Sequence, residues 1–340
     1  MMQRYAKDQP QGFSNCISRV AIVGAGGTVG RHLAEALLKT GKHVLTAITR
    51  PYSTNILPQG MHVVRVDYNG DDDAALVEAM QGQQVLIITM AVTAPRGTIN
   101  NLIRAASKAG VPYVLPNWFG HEVANNSLCD DSMLSPSRDS VLAEMNTLPN
   151  TSCIFLVCNF WYEFSSGGGP DRFGFDFKTR SFIQFDDGNV PLNTSTWPQC
   201  GRAIARLLSL KEIPDSGTDR SPTLSQFANS SIYVSSFRVT QLDMFESVKR
   251  VTGTTDEDWT ITKESAEQCW KKAHAAVQQG DFAQFPRQLY SRMFFPTADG
   301  DYQSRRELHN KLLGLPVESL DEYTAIAIRM AENDEIVGYH

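Results

Sequence analysis

The stretch VAIVGAGGTVGRHLAEALL, residues 20–38, sets the architecture of the N-terminal half. An apolar run of strand type leads into Gly24, Gly27 and Gly30, and an amphipathic segment of helical period follows. In such a turn the first glycine permits a tight bend, the second lets a ligand approach the backbone, and the third lets helix and strand pack closely. This order predicts the opening unit of an α/β fold that binds a dinucleotide.

The helix N-terminus at Thr28 and Val29 is predicted to hold a pyrophosphate, because its N–H groups are unpaired and the helix dipole favours negative charge. About 20 residues beyond the loop, an acid would bind the ribose 2′-hydroxyl of NAD. This chain has AITRPYS there, with Arg50 and no Asp or Glu. Because a guanidinium can bind the 2′-phosphate through two hydrogen bonds, we expect the cofactor to be NADP(H). The alternative, a surface arginine without a ligand, stays open.

Short apolar runs alternate with amphipathic segments as far as residue 157. Runs that are apolar on both faces are typical of a parallel sheet buried between two helix layers. We therefore predict a doubly wound parallel-sheet Rossmann domain over residues 18–166, with about six strands by its end. Gly41, Gly82 and Gly110 each follow a helical run and are expected to end it in the left-handed conformation. Thr89 and Met90 end the fourth strand and are expected to line the nicotinamide ribose.

The pattern changes after residue 166. GGGP at 167–170 predicts a loop or hinge, and FIQFDDGNVPLN predicts a hairpin that turns at Asp187 and Gly188. Helical runs follow without the earlier strict rhythm. We expect residues 167–340 to form a smaller α+β lobe that binds the substrate, with some elements returning to the Rossmann domain, and residues 1–17 to form a flexible tail.

Composition excludes several classes of protein. The net charge of −6 and the scattered lysines and arginines argue against a nucleic-acid partner. The six cysteines form no CxxC pair and no cluster with zinc-ligand spacing, so we expect no metal, no disulfide framework and a reducing, cytoplasmic location. No apolar run approaches the roughly 20 residues that span a bilayer, so we expect no membrane partner. We expect a small-molecule substrate and allow for a homodimer.

The glycine loop, the arginine after the second strand, PNWFG at 116–120 and NFW at 159–161 together resemble the isoflavone-reductase-like and NmrA-like proteins. These are atypical members of the short-chain dehydrogenase superfamily. The resemblance covers residues 19–210 and implies an NADP-binding Rossmann domain, a smaller C-terminal lobe and a substrate in the cleft between them.

The PNWFG segment departs from the family's Pro-Ser-Glu-Phe-Gly. Pro116, Phe119 and Gly120 match it, whereas Asn117 and Trp118 replace the serine and the glutamate. The resemblance implies that Pro116 and Asn117 lie beside the cofactor, and that Trp118 and Phe119 lie beside the substrate.

The proton donor that the resemblance implies is missing. No tyrosine here has a lysine four residues later, and no lysine at all occurs between Lys108 and Lys178, where the reductase branch of the family carries one. Arg138 falls close to that place, but a guanidinium keeps its proton near neutral pH, so Arg138 could only anchor ribose or stabilise an oxyanion. His121 and Tyr162 remain as candidate donors. His121 could equally be a loop histidine in solvent.

The segment NFW also has two interpretations. Phe160 and Trp161 could form a wall for a flat aromatic substrate that Asn159 orients, or they could plug the seam between the two lobes. The leading function is an NADPH-dependent oxidoreductase of secondary metabolism that acts on a small aromatic or polyketide-like metabolite. One alternative is an NmrA-like regulator that senses nucleotide redox state without turnover, which the missing lysine favours. Another is a non-redox enzyme that catalyses a dehydration or a rearrangement.

Overall fold

The computed structural model describes residues 4–68, 73–91, 94–95 and 97–336. A parallel sheet forms the centre of the molecule. Its strands are β1 (Arg19–Val23), β2 (Val44–Thr49), β3 (His62–Arg65), β4 (Val85–Ile88), β5 (Tyr113–Leu115), β6 (Phe119–Gly120), β7 (Ser152–Val157) and β12 (Ser230–Tyr233). They lie in the order β12-β7-β5-β4-β1-β2-β3, with the short β6 also paired to β7. Every pairing in this sheet is parallel.

Helices cover both faces of the sheet, as the doubly wound prediction requires. The helices up to the middle of the chain are α1 (Thr28–Lys39), α2 (Ala74–Met80), α3 (Thr98–Lys108), α4 (Asn126–Asp131), α5 (Ser135–Asn146), α6 (Tyr162–Ser166) and α7 (Trp197–Leu208). Apolar residues of α1 and α7 pack on one face, and those of α2, α3 and α5 pack on the other. Gly41, Gly82 and Gly110 have φ angles of 65°, 72° and 79°, so the predicted left-handed ends of three helices are confirmed.

The C-terminal part carries two small sheets. Their strands are β8 (Phe160–Trp161), β9 (Phe175–Asp176), β10 (Ser181–Phe185), β11 (Leu192–Ser195), β13 (Phe237–Val239) and β14 (Thr260–Glu264), in the orders β14-β10-β9 and β13-β11-β8. The helices are α8 (Gln241–Thr252), α9 (Ala266–Gln278), α10 (Phe285–Ser291) and α11 (Leu320–Glu332). A third apolar cluster, rich in phenylalanine, joins these elements.

The predicted hairpin at Asp187 and Gly188 is wrong. The chain does turn there, with Gly188 at φ 73°. However, β10 pairs with β9 and β14, whereas β11 pairs with β8 and β13. The local residues produce the turn, but partners that are distant in the chain decide where the two strands go.

Elements from the second half return to the first. Helix α7 packs along α1 so closely that a Cβ on Gly201 would lie 2.5 Å from the carbonyl oxygen of His32. Strand β12 extends the central sheet beside β7. Elements that follow residue 167 therefore contact both a helix and a strand of the part that precedes it.

The N-terminal segment is not a loose tail over the residues that the structure describes. The side chain of Asn15 donates to the carbonyl of Ile213 at 2.8 Å and accepts from the Ile213 N–H at 2.9 Å. Ile17 is buried in the core. This docking depends on residues about two hundred positions away, so the polar composition of the segment could not reveal it. Within the described ranges, no helix is both long and apolar enough to cross a bilayer.

Candidate cofactor and substrate site

The glycine turn packs directly against the end of β4. Gly24 has a φ of 86°, and a Cβ there would lie 2.0 Å from the carbonyl oxygen of Thr89. A Cβ on Gly30 would lie 2.2 Å from the Gly24 carbonyl oxygen and 2.6 Å from Thr89 Oγ1. No other residue fits at either position. In contrast, a Cβ on Gly27 would meet only the Gly24 carbonyl oxygen, at 3.3 Å, so the turn is open on that side.

The N-terminus of α1 is available to an anion. Gly27 is its N-cap and supplies no side-chain hydrogen bond, and both Gly27 and Thr28 are exposed. Because β2 lies on one side of β1 and β4 on the other, this turn stands where the strand order reverses. That is the place where open α/β sheets bind nucleotides. The residues present fit the pyrophosphate of a dinucleotide cofactor.

The loop after β2, residues 50–56, contacts the glycine turn. Arg31 Nη2 donates to the carbonyl of Ile56 at 3.2 Å, and a Cβ on Gly26 would lie 2.7 Å from Asn55 Cβ. Arg65 Nη1 donates to the carbonyls of Pro51 and Ser53, at 3.3 Å each. These contacts fix the loop as a side wall of the open turn.

Arg50 stands at the start of this loop. It is exposed, and no hydrogen bond or ion pair joins its guanidinium to the part of the chain that the structure describes. Burial raises the pKa of Tyr68, and the positive charge of Arg50 acts on that hydroxyl in the opposite direction. The arginine is thus free to bind a phosphate.

Asn117 ties together the ends of β4 and β5. Its Oδ1 accepts from the Met90 N–H at 3.1 Å, and its Nδ2 donates to the Met90 carbonyl at 2.9 Å. Thr89 Oγ1 donates to the Val23 carbonyl at 3.0 Å, and Pro116 is buried. Asn117 therefore shapes the wall on which the nicotinamide ribose is predicted to lie, with its amide engaged on the backbone.

Trp118 and Phe119 point to opposite faces of the sheet. Trp118 packs against the cluster beneath α3 and α5, and its Nε1 donates to the carbonyl of His121 at 2.9 Å. Phe119 packs against the cluster beneath α1 and α7. The two predicted substrate contacts therefore do not share one pocket wall, because neighbouring residues of an extended chain face opposite ways.

His121 is buried, with 3% of its surface exposed, so the interpretation as a loop histidine in solvent is wrong. Its Nε2 lies 3.0 Å from Ser132 Oγ, which donates its hydrogen to the Cys129 carbonyl. This assigns the ring hydrogen to Nε2. Burial lowers the pKa of His121 to about 4. A neutral imidazole in this setting is poorly suited to donate a proton near neutral pH.

The side chain of Arg138 is also hydrogen-bonded within the protein. Its guanidinium donates to Asp139 Oδ1 at 2.8 Å and to Asn126 Oδ1 at 2.9 Å. The hydrogen bond to Asp139 is the main reason why the pKa of Arg138 is raised. The arginine holds the start of α5 against the start of α4, which gives it a structural role.

Tyr162 is not a proton donor in the cleft. It is fully buried in the core of the C-terminal part, where its hydroxyl lies 2.6 Å from Thr324 Oγ1. Burial raises its pKa to about 12. The sequence pattern placed it correctly after a sheet strand, but the side chain turns away into the phenylalanine-rich core.

The NFW segment divides between the two interpretations. Asn159 adopts a left-handed φ of 52°, and its Nδ2 donates to the Asn193 carbonyl at 2.7 Å. Phe160 stacks on Tyr290 with ring centroids 4.0 Å apart and packs on the phenylalanine-rich cluster, so it belongs to the core of the C-terminal part. Trp161 is only partly buried and packs against the apolar cluster that α1 and α7 share. It remains the candidate substrate wall.

Two residues beside Trp161 were missed by the sequence prediction. Glu163 is 2% exposed, and its Oε1 accepts from the backbone N–H of Trp197 at 2.8 Å. The available signal was a single glutamate inside the aromatic run NFWYEF. Acids are rarely buried unless they are paired, so a glutamate in a segment expected to be buried is unusual. Nothing local to Trp197 indicated its position, which depends on the return of α7.

A comparison with known families gives the cofactor class. Residues 24–122 match a family model described as NAD(P)H-binding. This segment of the chain is an NAD(P)H-binding domain. It contains the glycine turn, the exposed Arg50, the Thr89 wall and the PNWFG segment.

Relatives extend over nearly the whole chain. Oxidoreductase aprR of Aspergillus flavus is 24% identical over 92% of this chain and 99% of its own length. The solved structure of AtPrR2 with NADP+ and (+)pinoresinol superposes with a TM-score of 0.69 at 18% identity, covering 93% of this chain and 100% of that one. Isoflavone reductase gives a TM-score of 0.67 at 19% identity, covering 91% and 98%. The Rossmann fold and the resemblance to isoflavone-reductase-like proteins are thus confirmed.

Proposed function

We propose that the protein is an NADPH-dependent oxidoreductase that reduces a small aromatic or polyketide-like metabolite of secondary metabolism. The observation that carries the proposal is the open glycine turn at an uncapped helix N-terminus, with the exposed guanidinium of Arg50 beside it. Bound NADPH supplies a hydride to a carbon of the substrate. The chain itself supplies the anion site, the ribose wall at Thr89 and Met90, and the aromatic surface at Trp161.

Arg50 is the residue that selects the 2′-phosphate. Substituting Arg50→Ala removes a charged donor, so the affinity for NADPH should fall about tenfold or more, while the affinity for NADH stays constant. Calorimetric titration with both nucleotides measures the ratio. Arg220→Ala is the matched control, because Arg220 is also exposed and its guanidinium donates to the carbonyls of Gly217 and Asp219. An unaltered NADPH/NADH affinity ratio in the Arg50 variant would show that the assignment is wrong.

Pinoresinol, bound by the AtPrR2 structure, and menadione, a flat aromatic enone, are suitable first probes of the substrate class. The proposal predicts that either one causes NADPH absorbance to fall in the presence of the protein. A preference for binding NADPH over NADP+ with no turnover of any metabolite would favour the redox-sensing alternative. Two observations support the redox-sensing alternative, namely the neutral, buried His121 and the absent lysine.

A further inference from the structure

Three buried polar atoms near the N-terminus of α7 have no hydrogen-bond partner among the described residues. They are Trp161 Nε1, Glu163 Oε2 and Trp197 Nε1. Their side chains adjoin one another, since Glu163 Oε1 is 2.8 Å from the Trp197 backbone nitrogen and the two indole rings are 6.3 Å apart. A buried polar atom without a partner costs free energy, so three together indicate a place that receives a ligand or solvent.

Further aromatic rings pack against the two indoles. Phe164 lies 5.9 Å from the Trp161 ring and 5.8 Å from the Trp197 ring. His32 stacks on the other part of Trp197 with centroids 5.8 Å apart and planes at 18°. Apolar and aromatic walls with a few converging polar groups are typical of a small-molecule site, where the walls supply affinity and the polar groups fix orientation.

The cluster borders the cofactor helix. His32 follows Thr28 by four residues on α1, so the two side chains share one face of that helix. Trp161 follows the carboxyl end of β7 and packs on the same apolar cluster as Val29. The aromatic cluster therefore adjoins the helix turn at which the cofactor is expected.

Glu163 can hold a transferable proton. Its carboxyl is desolvated, and burial raises its pKa to about 7. Arg202, whose positive charge lowers the pKa of Glu163, donates its hydrogen bonds to Glu318 and to Gln199. At neutral pH a substantial fraction of Glu163 is protonated, so its free Oε2 can present a hydrogen alongside the two indole N–H groups. A carboxyl O–H and an indole N–H are both donors, and donors suit a ligand oxygen.

We propose that Trp161, Glu163 and Trp197 receive the carbonyl oxygen of an aromatic ketone or enone, and that Glu163 protonates it. This rests on the proposed function. The reductant is the hydride that NADPH would supply under the proposed function. Its addition to the carbonyl carbon of a ketone, or to the β-carbon of an enone, moves the carbonyl π electron pair to the oxygen. The O–H bond of Glu163 then breaks, an O–H bond forms on the substrate, and the Glu163 carboxylate regains a proton from water. This assigns the step for which the chain has no lysine.

Turnover tests the proton transfer. Glu163→Gln keeps an acceptor for the Trp197 N–H but has no acidic proton, so kcat with menadione should fall about 100-fold. The wild-type kcat should decline as the pH rises through 7, and the variant should lack that decline. Glu212→Gln is the control, because Glu212 is another buried glutamate with a pKa raised by burial. A Glu163 variant with the wild-type rate and pH profile would overturn the proposal.

Binding tests the pocket without turnover. Menadione, which carries the carbonyl oxygen that the proposal requires, is titrated calorimetrically into the protein with and without NADP+. Trp161→Phe keeps an aromatic ring and removes the N–H, and it should weaken binding about tenfold. Trp259→Phe, at a buried tryptophan whose Nε1 donates to Thr254, should not. The Trp161→Phe variant keeps the proposal testable if the Glu163 variant does not fold.

The outcomes separate the two proposals. Binding that depends on Trp161 and Glu163 without NADPH oxidation would support the pocket and contradict the reductase. Turnover that is indifferent to both substitutions would support the reductase and overturn the pocket. If the wild-type protein neither binds nor reduces either probe, the unpartnered atoms hold water only and the pocket proposal fails.

Discussion

Gly27 and Gly30 differ in how much space is free where a Cβ atom would lie. One position of the turn can therefore serve ligand binding, while the other serves packing. The space at Gly30 is filled by Gly24 and Thr89, whereas the space at Gly27 is open to solvent apart from one carbonyl at 3.3 Å. This agrees with the different roles that the sequence motif predicts for its second and third glycines. Their physical requirements are different, since one serves the fold and the other serves a ligand.

We therefore expect Gly30→Ala to destabilise the protein by about 1–3 kcal/mol, because the new methyl group overlaps backbone and Thr89 Oγ1. Gly27→Ala should retain nearly wild-type stability and lose NADPH affinity, since its methyl group occupies the ligand side. Thermal unfolding and calorimetric titration of both variants measure the difference. Equal melting temperatures for the two variants would contradict this division.

The titrations of Glu163 and His121 give opposite pH dependences of stability. The pKa of Glu163 rises from 4.5 to about 7 on folding, so its contribution to stability is present below 4.5 and is lost as the pH rises through 7. The pKa of His121 falls from 6.5 to about 4, so its contribution is present above 6.5 and is lost as the pH falls through 4.

Glu163→Gln should therefore gain stability relative to the wild type as the pH rises from 4.5 to 7, because the variant has no buried carboxyl to ionise. Urea unfolding across that interval gives the free energy of unfolding for both proteins. Glu212→Gln serves again as a reference for the loss of a buried acid. A constant difference between the wild type and the Glu163 variant at all these pH values would show that Glu163 does not titrate there.

Among the helices, α4 is fastened to the C-terminal part by one arginine. Arg292, 2% exposed, donates to Asp131 Oδ2 at 2.6 Å and to Asp299 Oδ2 at 2.7 Å. The Asp131 carbonyl also accepts from Trp270 of α9 and Gln288 of α10. The end of α4 is thus the point where three elements of the second half attach to the Rossmann part.

Arg292→Met should destabilise the protein by about 3 kcal/mol, since it leaves two partly buried carboxylates without their cation. Arg104→Met is the control. Arg104 pairs with Glu144 at 2.8 Å on the surface, where an ion pair contributes less than about 1 kcal/mol. Chemical denaturation gives both values. Similar losses in the two variants would contradict the fastening role of Arg292.

The two halves of the chain are interwoven rather than divided at residue 166. Helix α7 supplies Cys200, Ala203 and Ile204 to the apolar cluster that also contains Leu33 and Leu37 of α1. Strand β12 covers the edge of β7. Removing the second half would expose that apolar face and leave a sheet edge unpaired.

We expect a fragment of residues 18–166 to be insoluble or unfolded, while the full chain unfolds in one cooperative transition. Circular dichroism with heating, applied to both, is the measurement. A cooperative thermal transition of the fragment would instead show that residues 18–166 are an independent domain.

The features that could be predicted from the sequence are those that depend on local periodicity and on glycine. They include the alternation of buried strands and helices, the left-handed ends at Gly41, Gly82 and Gly110, and the glycine turn, because each follows from spacing within a few residues. The exposed Arg50 at the end of β2 could also be predicted from its spacing after the glycine turn. The amino-acid sequence alone is therefore sufficient to predict the NAD(P)H-binding domain.

The remaining features depend on tertiary contacts. These contacts bury His121 and Tyr162, bind Arg138 to α4 and send β10 and β11 to different sheets. They also bring Trp197 to Glu163, thirty-four positions earlier in the chain. Direction and burial of a side chain depend on partners that are distant in sequence, and a pattern of residue types carries no information about which of them will meet.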